Sequence, residues 1–177
     1  MGHNEEQTEL IFNPRDIYKI VLDTRNFEIS MFWQRSNYLL VLNSAIALGF
    51  FQLKGNIYYS VGLAIFGLWS SIIWLRLCLG AKFWQDRWEH RLEVIELKFI
   101  KEKRMSEDLK MFSADWDTIY ADVEASIKRS KHKGFRRLMD CLVLYKPSVS
   151  YAMMLLSMSF ILGWFIVLIV IIVKSAG

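Results

Sequence analysis

Residues able to do acid–base, nucleophilic or metal chemistry are few in this 177-residue chain, and they are not grouped. The histidines are His3, His90 and His132. His90 is flanked by Glu89 and Glu93, but no second histidine sits one helical turn away. A helix-borne metal site would lack its nitrogen pair, so no metal or other cofactor is expected. Cys78 and Cys141 follow neither a zinc nor a disulfide-framework spacing. No arginine precedes a histidine by five to seven residues, which argues against an Arg-x(4–6)-His ribonuclease centre. A dinucleotide glycine loop, a phosphate loop and a zinc-protease pair are all missing. Without a convergent acid, base or metal set, the chain does not read as an enzyme.

What remains is the chemistry of fixed charges and amides. Lys128, Arg129, Lys131, Lys133, Arg136 and Arg137 surround His132 and Phe135. Basic residues beside an aromatic suit single-stranded RNA. Next to an apolar span they more often meet anionic lipid and fix topology, and that reading is preferred. Asn43, Ser44, Gln52, Ser60, Ser70, Ser71, Arg76, Ser157 and Ser159 fall inside strongly apolar stretches. An amide in hydrocarbon needs a partner or water. Small pairs at i, i+4 (Ala45 and Gly49, Ser60 and Ala64, Gly67 and Ser71, Ser159 and Gly163) let helices approach closely, within one subunit or between subunits.

The elements that must carry these groups follow from composition. The chain is 54% hydrophobic and still 23% charged, so apolar and charged residues must be segregated into blocks. Three blocks read as membrane spans. Tyr151 to Val173 is free of formal charge and about 35 Å long as a helix. Ile57 to Leu79 is broken only by Arg76 near one end. Tyr38 to Leu53 is shorter, about 24 Å; extended backwards through Met31-Phe32-Trp33, it lets Arg35 snorkel to the interface. Lys54-Gly55-Asn56 turns the first two spans into a hairpin. Met1 to Glu9 is acidic and polar and does not read as a signal peptide.

Charge sets the orientation. Fifteen basic residues lie between Gly80 and Ser150, against Lys54 alone in the turn and Lys174 alone after the last span. The N-terminus and central segment are expected in the cytoplasm, and the C-terminus outside. Asn13-Pro14 starts a helix whose stripe of Ile17, Ile20, Val21, Phe27 and Met31 runs on into the first span. In the central segment two apolar stripes recur at helical spacing: Trp84, Trp88, Leu92, Ile95 and Phe99, then Phe112, Trp116, Ile119, Val123 and Ile127, with a joint at Met105-Ser106-Glu107. His132-Lys133-Gly134 marks a break, and Phe135 to Lys146 reads as a short helix at the headgroups.

The layout predicts an all-α membrane protein with three transmembrane helices per subunit and a helical cytoplasmic insert. Residues 1–37 form an N-terminal cytoplasmic amphipathic helix, 38–79 the hairpin, 80–150 the cytoplasmic helical domain, 151–173 the third span and 174–177 an external tail. Three spans make a thin bundle, so packing between subunits is the natural cover for their polar sides. That architecture, with the stretch Arg25-Asn-Phe-Glu-Ile-Ser-Met-Phe-Trp-Gln-Arg-Ser-Asn-Tyr38, resembles the RipA-like family of octameric bacterial membrane proteins. The resemblance implies a ring of eight subunits around a pore in the cytoplasmic membrane. Within the family, size and layout are most similar to the membrane accessory proteins of type VI-B CRISPR–Cas systems. That would couple the pore functionally to an RNA-guided RNase and to membrane depolarisation during antiphage defence. Asn43, Gln52, Lys54 and Arg76 are then the candidates for pore-facing or gate-adjacent positions. The alternative is a non-conducting membrane scaffold, or a regulator of membrane lipid homeostasis.

Overall fold

The computed structural model describes residues 14–52, 56–129, 140, 142–144 and 148–176. Four helices carry the fold: α1 (Pro14–Gln52), α2 (Ile57–Lys101), α3 (Trp116–Arg129) and α4 (Val149–Ala176), with a short 3-10 turn at Glu107–Leu109. No strand occurs among the described residues. Asn13, the turn residues Lys54 and Gly55, the break at His132 to Gly134, Cys141 and most of the segment from Phe135 to Lys146 lie outside them.

Helix α1 is the single long helix expected from the apolar stripe, about 58 Å from end to end. Pro14 opens it, where a missing N–H costs nothing. Helix α2 starts on Asn56, whose side chain accepts from Tyr58 N at 3.1 Å and Tyr59 N at 3.5 Å. It then runs for about 68 Å, straight through the expected boundary between residues 79 and 80. The second span and the first amphipathic stripe are thus one continuous rod. Gly80 does not break it, because a lone glycine costs only about 1 kcal/mol against alanine. The rod ends where Arg104 N donates to Phe99 O and Lys103 N to Ile100 O, both at 2.9 Å, with Lys103 in the left-handed region at φ 55°.

The second stripe differs from expectation at its start. Helix α3 begins at Trp116, not Phe112: Asp115 O accepts from Ile119 N at 3.2 Å, and Asp115 Oδ1 accepts from Thr118 Oγ1 at 2.5 Å. Phe112 belongs to the preceding segment, whose amides are committed elsewhere. No residue of α3 is buried within the subunit, so Trp116, Tyr120 and Val123 stay exposed.

Side-chain pairs fix how the rods pack. Tyr18 meets Glu96, Arg25 meets Glu89, and Asn43 meets Ser70 and Ser71. Seven residues from Tyr18 to Arg25 answer seven from Glu96 to Glu89; eighteen from Arg25 to Asn43 answer eighteen from Glu89 to Ser71. Helices α1 and α2 are therefore antiparallel in one unslipped register. Helix α4 is also antiparallel to α2: Trp164 meets Gly67, Phe160 lies 5.8 Å from Trp74 between ring centroids, and Ser150 bonds to Gln85. Two apolar clusters result, one on Ile46, Ala64 and Trp164, the other on Trp74, Cys78 and Met154.

Helices α2 and α4 are long and apolar enough to cross a membrane. Among the described residues α1 is not a third such helix, because Asn43, Ser44 and Gln52 dilute its short apolar stretch. The register nevertheless sets its residues 38–52 beside 62–76 of α2.

At Gly67 the Trp164 ring of α4 lies against α2. A Cβ built there would lie 2.3 Å from Trp164 Cε2 and 2.6 Å from Cδ2, so the indole would have to leave its seat. Gly67→Ala is expected to destabilise the subunit by about 1–3 kcal/mol, the usual cost of overpacking. A lowered thermal midpoint of the detergent-solubilised protein, followed by Trp fluorescence, checks this.

Candidate functional site: polar rungs between the long helices

The most enclosed charged group described is Glu96, on α2, with 1% of its surface exposed. A carboxylate buried to that degree survives only if its lone pairs are filled. Oε1 accepts from the Tyr18 hydroxyl of α1 at 2.9 Å. Oε2 accepts from three successive backbone amides, Met111 at 3.2 Å, Phe112 at 2.9 Å and Ser113 at 3.0 Å, and from Ser113 Oγ at 3.1 Å. These amides form an anion-holding nest, and their capture explains why the chain at Phe112 is not helical. Burial pushes the Glu96 carboxyl up; the Ser113 and Phe112 amides, the Tyr18 hydroxyl and the Met111 amide together outweigh it and hold it below its ordinary 4.5. Burial, the bond to Glu96 and its charge push the Tyr18 phenol from 10.0 up to about 12.

One helical heptad nearer the apolar half, Arg25 reaches Glu89 Oε1 with Nε at 3.2 Å and Nη2 at 2.7 Å. Its guanidinium also lies 5.2 Å from the Phe112 ring centroid, which ties the nest segment to α1 a second time. Gln85 Nε2 donates to the same Glu89 oxygen at 3.0 Å, and Ser150 Oγ donates to Gln85 Oε1 at 3.2 Å. A chain of hydrogen bonds thus leads from α1 through α2 to the start of α4.

The innermost rung lies among apolar residues. Asn43 is fully buried; its Nδ2 donates to Ser70 Oγ at 3.1 Å and to Leu39 O at 2.9 Å. Ser71 Oγ lies 2.8 Å from Asn43 Oδ1 and 2.7 Å from Gly67 O, and its one proton serves either. Asn43 therefore differs from the pore-facing role expected of it: its amide is satisfied inside the subunit, against α2. Gln52 is exposed at the end of α1, and Arg76 is exposed on α2. Lys54 lies outside the described residues.

The side of α1 turned away from Asn43 carries its own polar groups. Gln34, Asn37, Ser44 and Gln52 are exposed there, interleaved with Val41 at 68% and Leu48 at 63% exposure. Ser36, Asn43 and Ile46 are buried on the opposite side. By contrast, the exposed surface of α4 is apolar along Leu155, Leu162, Ile169 and Val173. Of the basic cluster, Lys128 pairs with Glu124 at 2.9 Å and Arg129 closes α3; Lys131, Lys133, Arg136 and Arg137 lie outside the described residues. His90 pairs with Glu93 at 3.1 Å, and among the described residues no group of three or more acids, cysteines and histidines is placed to hold a metal ion.

Sequence reasoning passed over Glu96, Tyr18 and Arg25. A signal was present: Tyr18 and Arg25 are seven apart on one helical stretch, and Glu89 and Glu96 are seven apart on another. Equal steps on antiparallel helices bring both pairs together.

Two antiparallel helices with apolar stretches of bilayer length, α2 and α4, packed with the long α1 and pinned by enclosed polar rungs, define an all-helical membrane protein. The chain belongs to the octameric membrane protein family (8xMP), whose family model matches residues 15–173. The match runs from the start of α1 nearly to the end of α4 and includes every rung. Membership makes the protein an oligomeric one, of a family named for eight-subunit assemblies. No curated protein and no solved structure matches the chain.

Glu96 sets a pH dependence. Its folded value is lowered, so its contribution is present above about pH 4.5 and is lost as pH falls toward the folded value. Tyr18 acts at the other end: its contribution is complete below pH 10 and is lost as pH rises toward about 12. Glu96→Gln keeps the shape but turns a donor toward the nest; it is expected to cost roughly 3 kcal/mol at neutral pH. Thermal midpoints of parent and variant measured from pH 3 to 7 should differ near neutrality and converge on acidification.

Proposed function

We propose that eight copies of this chain close a ring across the bacterial cytoplasmic membrane, with α1 as a third crossing that lines an ion pore. The observation that carries the proposal is that α1, beside the apolar half of α2 and just beyond its cytoplasmic end, is polar on two opposite faces. Asn43 turns to Ser70 and Ser71 of α2, while Gln34, Asn37, Ser44 and Gln52 turn outward. Ser44 Oγ donates to Leu40 O of its own helix, but lipid tails cannot satisfy an outward amide such as that of Gln52. A ring of copies around a wet axis can, and it leaves the apolar surface of α4 for lipid.

Val41 and Leu48 interrupt the outer polar stripe. Repeated eight times around an axis, such positions form apolar constrictions that close by dewetting. The basic residues of α2 from Lys82 to Lys101 and of α3 favour a cytoplasmic location for both, with the C-terminus outside. Arg76 lies about 28 Å along α2 from Ile57, which suits a headgroup phosphate at the cytoplasmic boundary more than a pore. The role requires no catalysis and no cofactor.

The size and layout of the chain, which are similar to those of the membrane accessory proteins of type VI-B CRISPR–Cas systems, support a further step. In that step the ring opens in answer to an activated type VI-B RNA-guided RNase and depolarises the infected cell. The rungs at Glu96 and Arg25, which tie the segment Met111 to Ser113 to the rods, are the natural place for such a signal to act.

Planar-bilayer recording of the purified oligomer is expected to give discrete conductance steps. Leu48→Ser should raise the leak by about tenfold by wetting a constriction, and Gln52→Leu with Asn37→Leu should lower the current. No current under any trigger, the activated RNase included, would overturn the pore and leave a scaffold. In cells carrying the RNA-guided RNase, phage challenge should collapse a potential-sensitive dye signal only when the chain is present.

A further inference from the structure

The half of the bundle far from Glu96 contains an apolar groove between α1 and α4, with a volume of about 300 Å³. Ala47, Phe50 and Phe51 form one wall and Ser159, Gly163 and Trp164 the other. The Trp164 ring is seated on Gly67, its Nε1 is buried, and among the described residues that nitrogen has no hydrogen-bond partner. Nothing lies within 4 Å of a Cβ built at Gly163, so the groove is open above that glycine. Small side chains at such a wall admit bulky ones from another helix. The other side of α2 presents those: Ile65, Trp69 and Ile72 are exposed, and Phe66 lies 6.0 Å from Trp69 with its ring tilted by 30°. Ala64, Gly67 and Ser71 occupy the opposite, buried side of the same helix.

We infer that the groove between α1 and α4 of one copy receives the Ile65–Trp69–Ile72 ridge of α2 from the next copy around the ring. Groove and ridge lie on different sides of the subunit, so the contact is head-to-tail, the kind that closes into a ring. Rotation about an axis along the membrane normal leaves depth unchanged, so mating surfaces must lie at equal depth. They overlap: in the observed register α2 residues 65–72 stand level with α1 residues 42–49 and α4 residues 159–166, stretches that give the groove Ala47, Ser159, Phe160, Gly163 and Trp164, with Phe50 and Phe51 within a turn beyond. Seating the ridge there also turns the outer polar stripe of α1 to the axis and α4 to the lipid. The inference rests on the ring of the proposed function, not on its conductance.

Two variants of the full chain test it. Ile72→Cys with Ser159→Cys places thiols level with each other on ridge and groove. Oxidation in native membranes should give a covalent ladder reaching eight subunits in the double variant. Each single variant, and the parent with Cys78 and Cys141, should give none. Gly163→Phe fills the groove from a position where an added Cβ meets nothing within 4 Å; native mass measurement should show the eight-subunit species lost and helix content kept. A parent of eight subunits with no ladder overturns this interface and leaves the ring standing. A Gly163→Phe protein that still forms eight-subunit rings overturns it as well, and so does a phospholipid held in the groove of the intact ring. A parent that is monomeric in membranes overturns the ring itself. If Gly163→Phe fails to fold, the ladder alone decides.

Discussion

An amide surrounded by hydrocarbon has to find a partner, and in this chain Asn43 finds it in one place only. Its Nδ2 has Leu39 O of its own helix besides Ser70, but its Oδ1 accepts from Ser71 across the helix pair, and a slip of α1 along α2 would break that bond. Apolar surfaces tolerate sliding; a buried hydrogen-bonded amide does not. Two more rungs repeat the constraint outside the apolar half, where Glu89 holds Arg25 and Glu96 holds Tyr18. The register these three contacts impose decides what else meets: where Trp164 finds Gly67, which side of α1 is left uncovered, and which stretches of the three rods stand level.

The nest around Glu96 works by the same logic in a different medium. A buried carboxylate raises the free energy of the fold unless it is fully paired. Full pairing here recruits three consecutive amides of the segment after α2, so the segment is shaped by the acid rather than by its own helical pattern. Phe112, which opens the second apolar helical stripe on paper, instead sits under the Arg25 guanidinium. Local propensity loses to a charge that must be solvated by something.

Much of the architecture was legible from residues alone, because apolar blocks of bilayer length and a stripe at helical spacing are local signals. The unbroken α1, the spans around Ile57 to Leu79 and Tyr151 to Val173, and the joint near Ser106 all follow from such patterns. The continuity of α2 past Gly80 was hidden because a glycine at a composition change looks like a boundary, while its true cost is small against the helix on either side. The direction of Asn43 was hidden for another reason. A polar residue in a span says that something polar lies opposite, but not whether that partner is water or a serine of the same chain. Glu96 looked like one more charge on a basic, solvated helix; only the pairing of two sevenfold spacings across antiparallel rods marks it out.

The unbroken length of α2 has a mechanical meaning. A helix without a kink behaves as a stiff beam, and this one is anchored near its middle, where Gln85 bonds to Ser150 and the apolar half begins. Pivoting it by about 10° would carry either tip sideways by roughly 6 Å over an arm of about 34 Å. Force applied at the tip bearing Glu96 would arrive at the far tip as displacement, with no intervening hinge to absorb it.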